Sequence, residues 1–214
     1  MRGSPATVVH EVALAFAVTV AASAAACGGG GGEEDAAANV TLGQVPEMVL
    51  QLEDLPSGYV SAEAGEMRGA AGMGTLGGYA AYYFRLDESG QFQGEAGCVW
   101  AVVELFETSD RAKAVVEENK RRSEGQPESV GIPAIGDESA ALSYFPRSVP
   151  DSCVRKDGVR LLHDVNAEVA LVLFHKGRIE GSITLWTLSR GTSVDTAVEL
   201  ARKQLARMDA ALRE

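Results

Sequence analysis

The runs EVALVLFH (Glu168–His175) and RIEGSITLWTL (Arg178–Leu188) stand on either side of Lys176-Gly177, and no other stretch leaves the chain so little choice of fold. Both are rich in β-branched and aromatic residues, and the glycine between them can take the positive φ that a tight turn needs. The pattern predicts a hairpin over Val169–Leu188. Period-two alternation places Leu171, Leu173, Ile179, Ile183 and Leu185 on apolar faces, with Glu180, Ser182 and Thr184 opposite. A sheet with an apolar face needs a cover, and the C-terminal stretch supplies one. Val194, Ala197, Val198, Ala201, Leu205, Met208 and Leu212 form a single stripe on a helix predicted over Val194–Arg213. Thr192 and Asp195 make a start resembling a capping box.

The other elements follow from the same rules. Pro46 suits a first helical turn and Pro56-Ser57-Gly58 a stop, which predicts a helix over Val45–Glu53. Ser61–Gly78 is rich in Gly, Ala and Met without a period and reads as a mobile loop or irregular edge. Tyr79–Leu86 is an aromatic strand. Gly97–Phe106, almost wholly apolar, reads as a central strand buried on both faces. Ser109–Arg122 is a helix, with Thr108, Ser109 or Asp110 as N-cap, an apolar side of Ala114, Val115 and Val116, and Lys120-Arg121-Arg122 at its C-terminus. Gly125–Pro133 is a loop, and Ala140–Phe145 and Val159–Val165 are short strands. The order α-β-β-α-β-β-β-β-α gives an α+β fold: an antiparallel sheet of about five or six strands with helices packed mainly on one face.

The N-terminal 26 residues have a different logic. Arg2 precedes an apolar run, Val12–Ala26, that is 15 residues long, against about 20 for a bilayer-spanning helix. Small residues close it, as in a secretory signal. Ala24-Ala25-Ala26-Cys27-Gly28 resembles the lipobox of bacterial lipoproteins, in which the cysteine takes a diacylglyceryl group; Ala24 stands where Leu is usual. Ala22-Ser23-Ala24 and Ala24-Ala25-Ala26 also satisfy ordinary signal peptidase, which leaves plain secretion as the alternative. Cys27–Asn39, with five consecutive glycines, reads as a flexible tether with a reach of roughly 20 Å. The expected organisation is therefore a signal peptide at 1–26, a tether at 27–39 and one globular domain at 40–214. Lipid on Cys27 would hold that domain to the outer leaflet of the cytoplasmic membrane, on its extracytoplasmic side.

Charge narrows the partners. Removing Met1–Ala26 takes one base (Arg2) and one acid (Glu11), so the net charge stays at −11. A strongly acidic body disfavours nucleic acid and anionic lipid surfaces. With Cys27 lipidated, Cys98 and Cys153 remain as a pair in an oxidising compartment, and a disulfide between them is expected; two separate buried thiols are the alternative. Closing that loop would contribute roughly 4 kcal/mol. The spacing does not suit zinc, and no metal or cofactor other than the lipid on Cys27 is expected.

Catalytic signals are thin. Gly72-Met73-Gly74-Thr75-Leu76-Gly77 spells a dinucleotide fingerprint, but a strand-like run follows it where a helix is required. His163, beside Asp164, and His175 could join nearby carboxylates in a hydrolase, although no spacing supports a triad. Met73, Tyr79, Tyr82, Tyr83, Phe84 and Trp100 could mark an apolar pocket beside the Gly/Met loop; ordinary core packing is the competing explanation.

Ala134-Ile135-Gly136-Asp137-Glu138-Ser139-Ala140, followed by LVLFHKGRIEGSITL and VDTAVELARKQLARM, resembles small actinobacterial-type envelope lipoproteins and the extracellular sensor domains of mycobacterial serine/threonine kinases. The likeness spans roughly the last 80 residues. Those sensor domains usually carry two disulfides, where this chain has cysteines for one. The resemblance implies a non-enzymatic binding or sensing module for an envelope partner or a small apolar ligand. A cell-envelope hydrolase and a structural spacer are the alternatives.

Overall fold

The chain's strands order themselves around the hairpin in a computed structural model, which describes residues 40–69, 74–85, 97–123, 130–144, 155–156, 159–160, 168–187 and 193–213. The strands are β1 (Tyr59–Arg68), β2 (Thr75–Arg85), β3 (Cys98–Phe106), β4 (Glu138–Tyr144), β5 (Arg155–Lys156), β6 (Val159–Arg160), β7 (Glu168–Lys176) and β8 (Ile179–Thr187). The helices are α1 (Val45–Met48), α2 (Ser109–Ser123) and α3 (Ser193–Ala211). Six strands form one sheet in the order β1-β2-β3-β8-β7-β4, each pair antiparallel, and β5-β6 is a separate two-stranded ribbon. The α+β architecture read from the sequence is the one observed.

The hairpin closes on Gly177-Arg178, because Lys176 still pairs with Ile179; Gly177 has φ 53°. The turn thus sits one residue later than Lys176-Gly177. β3 lies inside the sheet between β2 and β8 and is buried on both faces, as its apolar run required.

Helices cover both faces unequally. α1 and α3 pack on the face carrying Val99, Ala101, Val103, Ile183, Leu185, Val172 and Phe174, which is the main core. The opposite face holds Phe84, Cys98, Trp186 and, further along, Leu173 and Ala140, where Val116 of α2 packs. Topology dictates the path of α2. It must carry the chain from β3, inside the sheet, to β4 at its edge, and so crosses β8 and β7 on the way. Thr108 caps it, accepting the Arg111 N–H at 3.3 Å. Its buried residues are Ala112 and Val116, four apart on one face, whereas Ala114 of the expected apolar side is exposed.

Burial of that second face corrects the alternation argument. Glu180 and Thr184 do lie opposite Ile179, Ile183 and Leu185, but they are buried there, at 2% and 6% exposure.

Gln204 fixes the seat of α3. Fully buried, it donates from Nε2 to the Val102 carbonyl at 2.8 Å and accepts the Leu50 N–H at 3.2 Å. Gly181 makes this approach possible, since a Cβ there would stand 2.5 Å from the Phe174 ring and 3.0 Å from Gln204 Nε2.

Two expected elements differ. The helix over Val45–Glu53 shrinks to α1 between two 3-10 turns, Leu42–Gln44 and Leu52–Asp54. Val49 and Leu50 are instead extended and fully buried, held by Gln204 and by the Tyr83 hydroxyl, which donates to the Leu50 carbonyl at 2.6 Å. Tertiary contacts override helix propensity there. Most of the stretch read as a loop, Ser61–Gly78, is β1 and the start of β2. β1 is an edge strand exposed along most of its length, with a register shift between Ser61 and Glu63, so it shows no burial alternation. Of the strand expected at Val159–Val165, only Val159–Arg160 is described. Thr192 lies outside the described residues. Among those residues, no helix is long and apolar enough to cross a membrane.

Candidate functional site

A groove of about 590 Å³ opens where the main core face meets the sheet's β4–β7 end. Its floor is Ser143 and Glu168, one wall is Val194, Asp195, Val198, Glu199 and Arg202 of α3, and the other is Val130–Pro133. Each part has a local cause. Ser143 and Glu168 share strand parity with the core residues Ala141, Ala170 and Val172, so both point to the α3 side. The Ser143 hydroxyl donates to Glu168 Oε1 at 2.8 Å, satisfying a carboxylate that is only 7% exposed. The opposite wall is tied to the sheet by the Val130 N–H, which donates to the Ala141 carbonyl.

The groove therefore combines apolar walls (Val130, Ile132, Val194, Val198) with a rim of two acids and an arginine. Its size falls within the range of small-molecule sites, about 300–1,000 Å³. Among the described residues its lining contains no histidine, cysteine or lysine, and its one hydroxyl, Ser143, bonds the Glu168 carboxylate.

Histidine and carboxylates do converge elsewhere, but under a helix. On the face crossed by α2, one cross-strand row runs Glu104, Glu180, His175, Glu138 along β3, β8, β7 and β4. His175 is 5% exposed, and its Nδ1 sits 3.3 Å from the Gly177 carbonyl. A carbonyl only accepts, so Nδ1 carries the hydrogen; Nε2 is buried and has no partner among the described residues. Burial raises the pKa of Glu104, and burial together with the charge of Glu104 raises that of Glu180 further. His175 and Glu180 are buried, and Glu104 and Glu138 at the two ends of the row are half-buried. Among the described residues no group of three or more His, Cys, Asp or Glu could hold a metal ion.

The sheet separates the aromatic residues proposed as one pocket. Tyr79 and Tyr83 pack in the main core, whereas Tyr82, Phe84 and Trp100 lie on the opposite face. There Tyr82 stacks on Trp100 at 5.4 Å and Trp100 on Trp186 at 6.3 Å. Tyr83 is a core anchor, its hydroxyl pKa pushed up to about 12 by burial and by Asp54 and Glu53. Cys98 is fully buried beside Phe84 and Trp186. Cys27, Met73, Cys153 and His163 lie outside the described residues. Thr75 and Leu76, inside the glycine fingerprint, already belong to β2, so the fingerprint runs into a strand and not into a helix.

The groove was missed because Val130–Pro133 reads only as a loop. The available signal was Glu168, a charge at the inward parity of an apolar strand.

The GDE and HKG motifs meet in space. Gly136 has φ 66°, and a Cβ there would stand 2.3 Å from the His175 carbonyl oxygen. Asp137 donates its N–H to that carbonyl at 2.8 Å and accepts the Gly177 N–H at 2.7 Å. These residues fasten β4 to the hairpin tip and are structural.

No protein-family profile and no curated protein sequence matches the chain. Among solved structures it is similar to the extracellular domain of PknH from Mycobacterium tuberculosis, with TM-score 0.55 and 10% identity over 82% of this chain and 98% of that one. At that identity the likeness is one of fold.

Proposed function

We propose that this chain is a lipid-anchored, extracytoplasmic binding or sensing module, without enzymatic activity, that receives a small apolar ligand or a segment of an envelope partner. The observation that carries the reading is the groove beside α3, with apolar walls and a sparse polar rim. Likeness of fold to the extracellular domain of PknH supports a sensing role over a catalytic one. Placement outside the cytoplasm rests on the signal-like segment Met1–Ala26, and anchoring rests on Cys27. In that compartment Cys98 and Cys153 would be joined as a disulfide.

Ligand binding is tested by melting the protein with a panel of fatty acids and apolar metabolites. A binder should raise Tm, and Ile132→Trp, which fills the groove from its loop wall, should abolish the rise. A rise that survives Ile132→Trp would place binding elsewhere, and no rise from any class would remove the small-ligand reading.

A further inference from the structure

The row on the face crossed by α2 is half-buried at both ends and buried at its centre. Glu104 and Glu180 are directly opposite across the β3–β8 ladder, where like charges repel most strongly. Glu104 leans over Gly78 of β2, the glycine leaving room for its side chain. Most of the described cations nearby pair with other groups. Lys120 of α2 pairs with Glu138 at 3.2 Å, Lys176 with Asp137 at 3.6 Å, and Lys113 with Glu117 at 3.4 Å. Arg111 of α2 lies over Gly74, and Arg178 donates to the Val40 carbonyl. The remaining member of the row, His175, offers a buried Nε2 without a hydrogen-bond donor.

We propose that Glu104 and Glu180 hold a proton between them in the folded domain, and that this proton keeps α2 seated on the sheet, so that the domain responds to the acidity of its surroundings. A buried carboxylate beside a half-buried one resists joint ionisation unless a cation joins them. Protonated, the pair is a hydrogen-bond donor on a face where His175 lacks one. Ionised, it places two like charges under the crossing helix.

The direction of the response follows from linkage. The unfolded chain releases these protons near the ordinary value of 4.5, whereas the folded chain keeps them at higher pH. Their stabilising contribution is complete below the unfolded value and is lost as pH rises through the folded one. The domain therefore tightens on acidification and loosens over α2 as the pH climbs.

The experiment compares Tm of the purified full-length protein, Glu180→Gln and the exposed control Glu66→Gln between about pH 5 and about pH 8. Wild type and Glu66→Gln should lose several degrees more than Glu180→Gln across that range, and Glu180→Gln should melt highest of the three at the alkaline end. Equal slopes in all three proteins would overturn the proposal. Should Glu180→Gln fail to fold, carbon-13 NMR of the wild-type glutamate carboxyls decides. Titration of residues 104 and 180 as a coupled pair above the ordinary range supports the site, and two independent ordinary titrations refute it.

Discussion

Gly136 shows how much one residue can decide. Its φ of 66° and the 2.3 Å approach of the His175 carbonyl leave no space for any side chain, and Asp137 can reach the Gly177 N–H only because the backbone turns there. Gly136→Ala should therefore cost at least about 2 kcal/mol, from left-handed strain and lost turn bonds together; chemical denaturation checks it, and a change within error would contradict the staple. Single letters also marked what could and could not be read in advance. Glu104, Glu180 and His175 are plain in the sequence as charges inside apolar runs, and alternation put Glu180 correctly opposite the Ile179 side. It could not show that this side is covered too, because burial there depends on the path of α2. Gln204 was hidden for a similar reason: on a helix its letter looks like a solvent-facing residue, and only the partners at Val102 and Leu50 explain its burial.

Elements were legible in proportion to how much of their burial is one-sided and local. The hairpin, β3 and α3 announce themselves because their apolar positions repeat with the period of the structure. β1 has no such signature, since its side chains are mostly exposed and it is held by backbone pairing with β2. α1 was overextended because Val49 and Leu50 suit a helix but are pulled straight by contacts from α3 and β2. This segment gives a test at its own scale. Tyr83→Phe removes the hydroxyl that donates to the buried Leu50 carbonyl and should cost about 1–2 kcal/mol, with little change in the denaturant slope. The tyrosine's raised pKa adds a pH signature. The contribution is complete below 10.0 and should fade as pH climbs toward about 12, which melts at alkaline pH would show as a wild-type advantage that disappears.

For the molecule as a whole, fold and function were readable to different depths. Architecture followed from pattern, and the likeness of fold to the extracellular domain of PknH extends over 82% of the chain, well beyond the last third that carried the resemblance in sequence. The groove was not readable, because it forms between a loop and a helix that are about 60 residues apart along the chain. The proposed anchor rests on Cys27 and the proposed disulfide on Cys98 and Cys153, and two labelling experiments separate them. Cells fed radioactive palmitate should label the wild type and not Cys27→Ser, while a thiol reagent applied after unfolding without reduction should find neither Cys98 nor Cys153. Unlabelled wild type recovered from culture fluid would leave the domain exported but unanchored.

The route of α2 has a consequence for how the molecule assembles. Because β3 and β4 are joined over the top of two strands that come later in the chain, the sheet is born with a gap in its middle. A chain threading outward through a membrane would carry β1 to β4 into the open with their central neighbours still to come. Only when the hairpin slides into the vacancy do the two flanks become one body, so a product cut short before Glu168 should be prey for proteases.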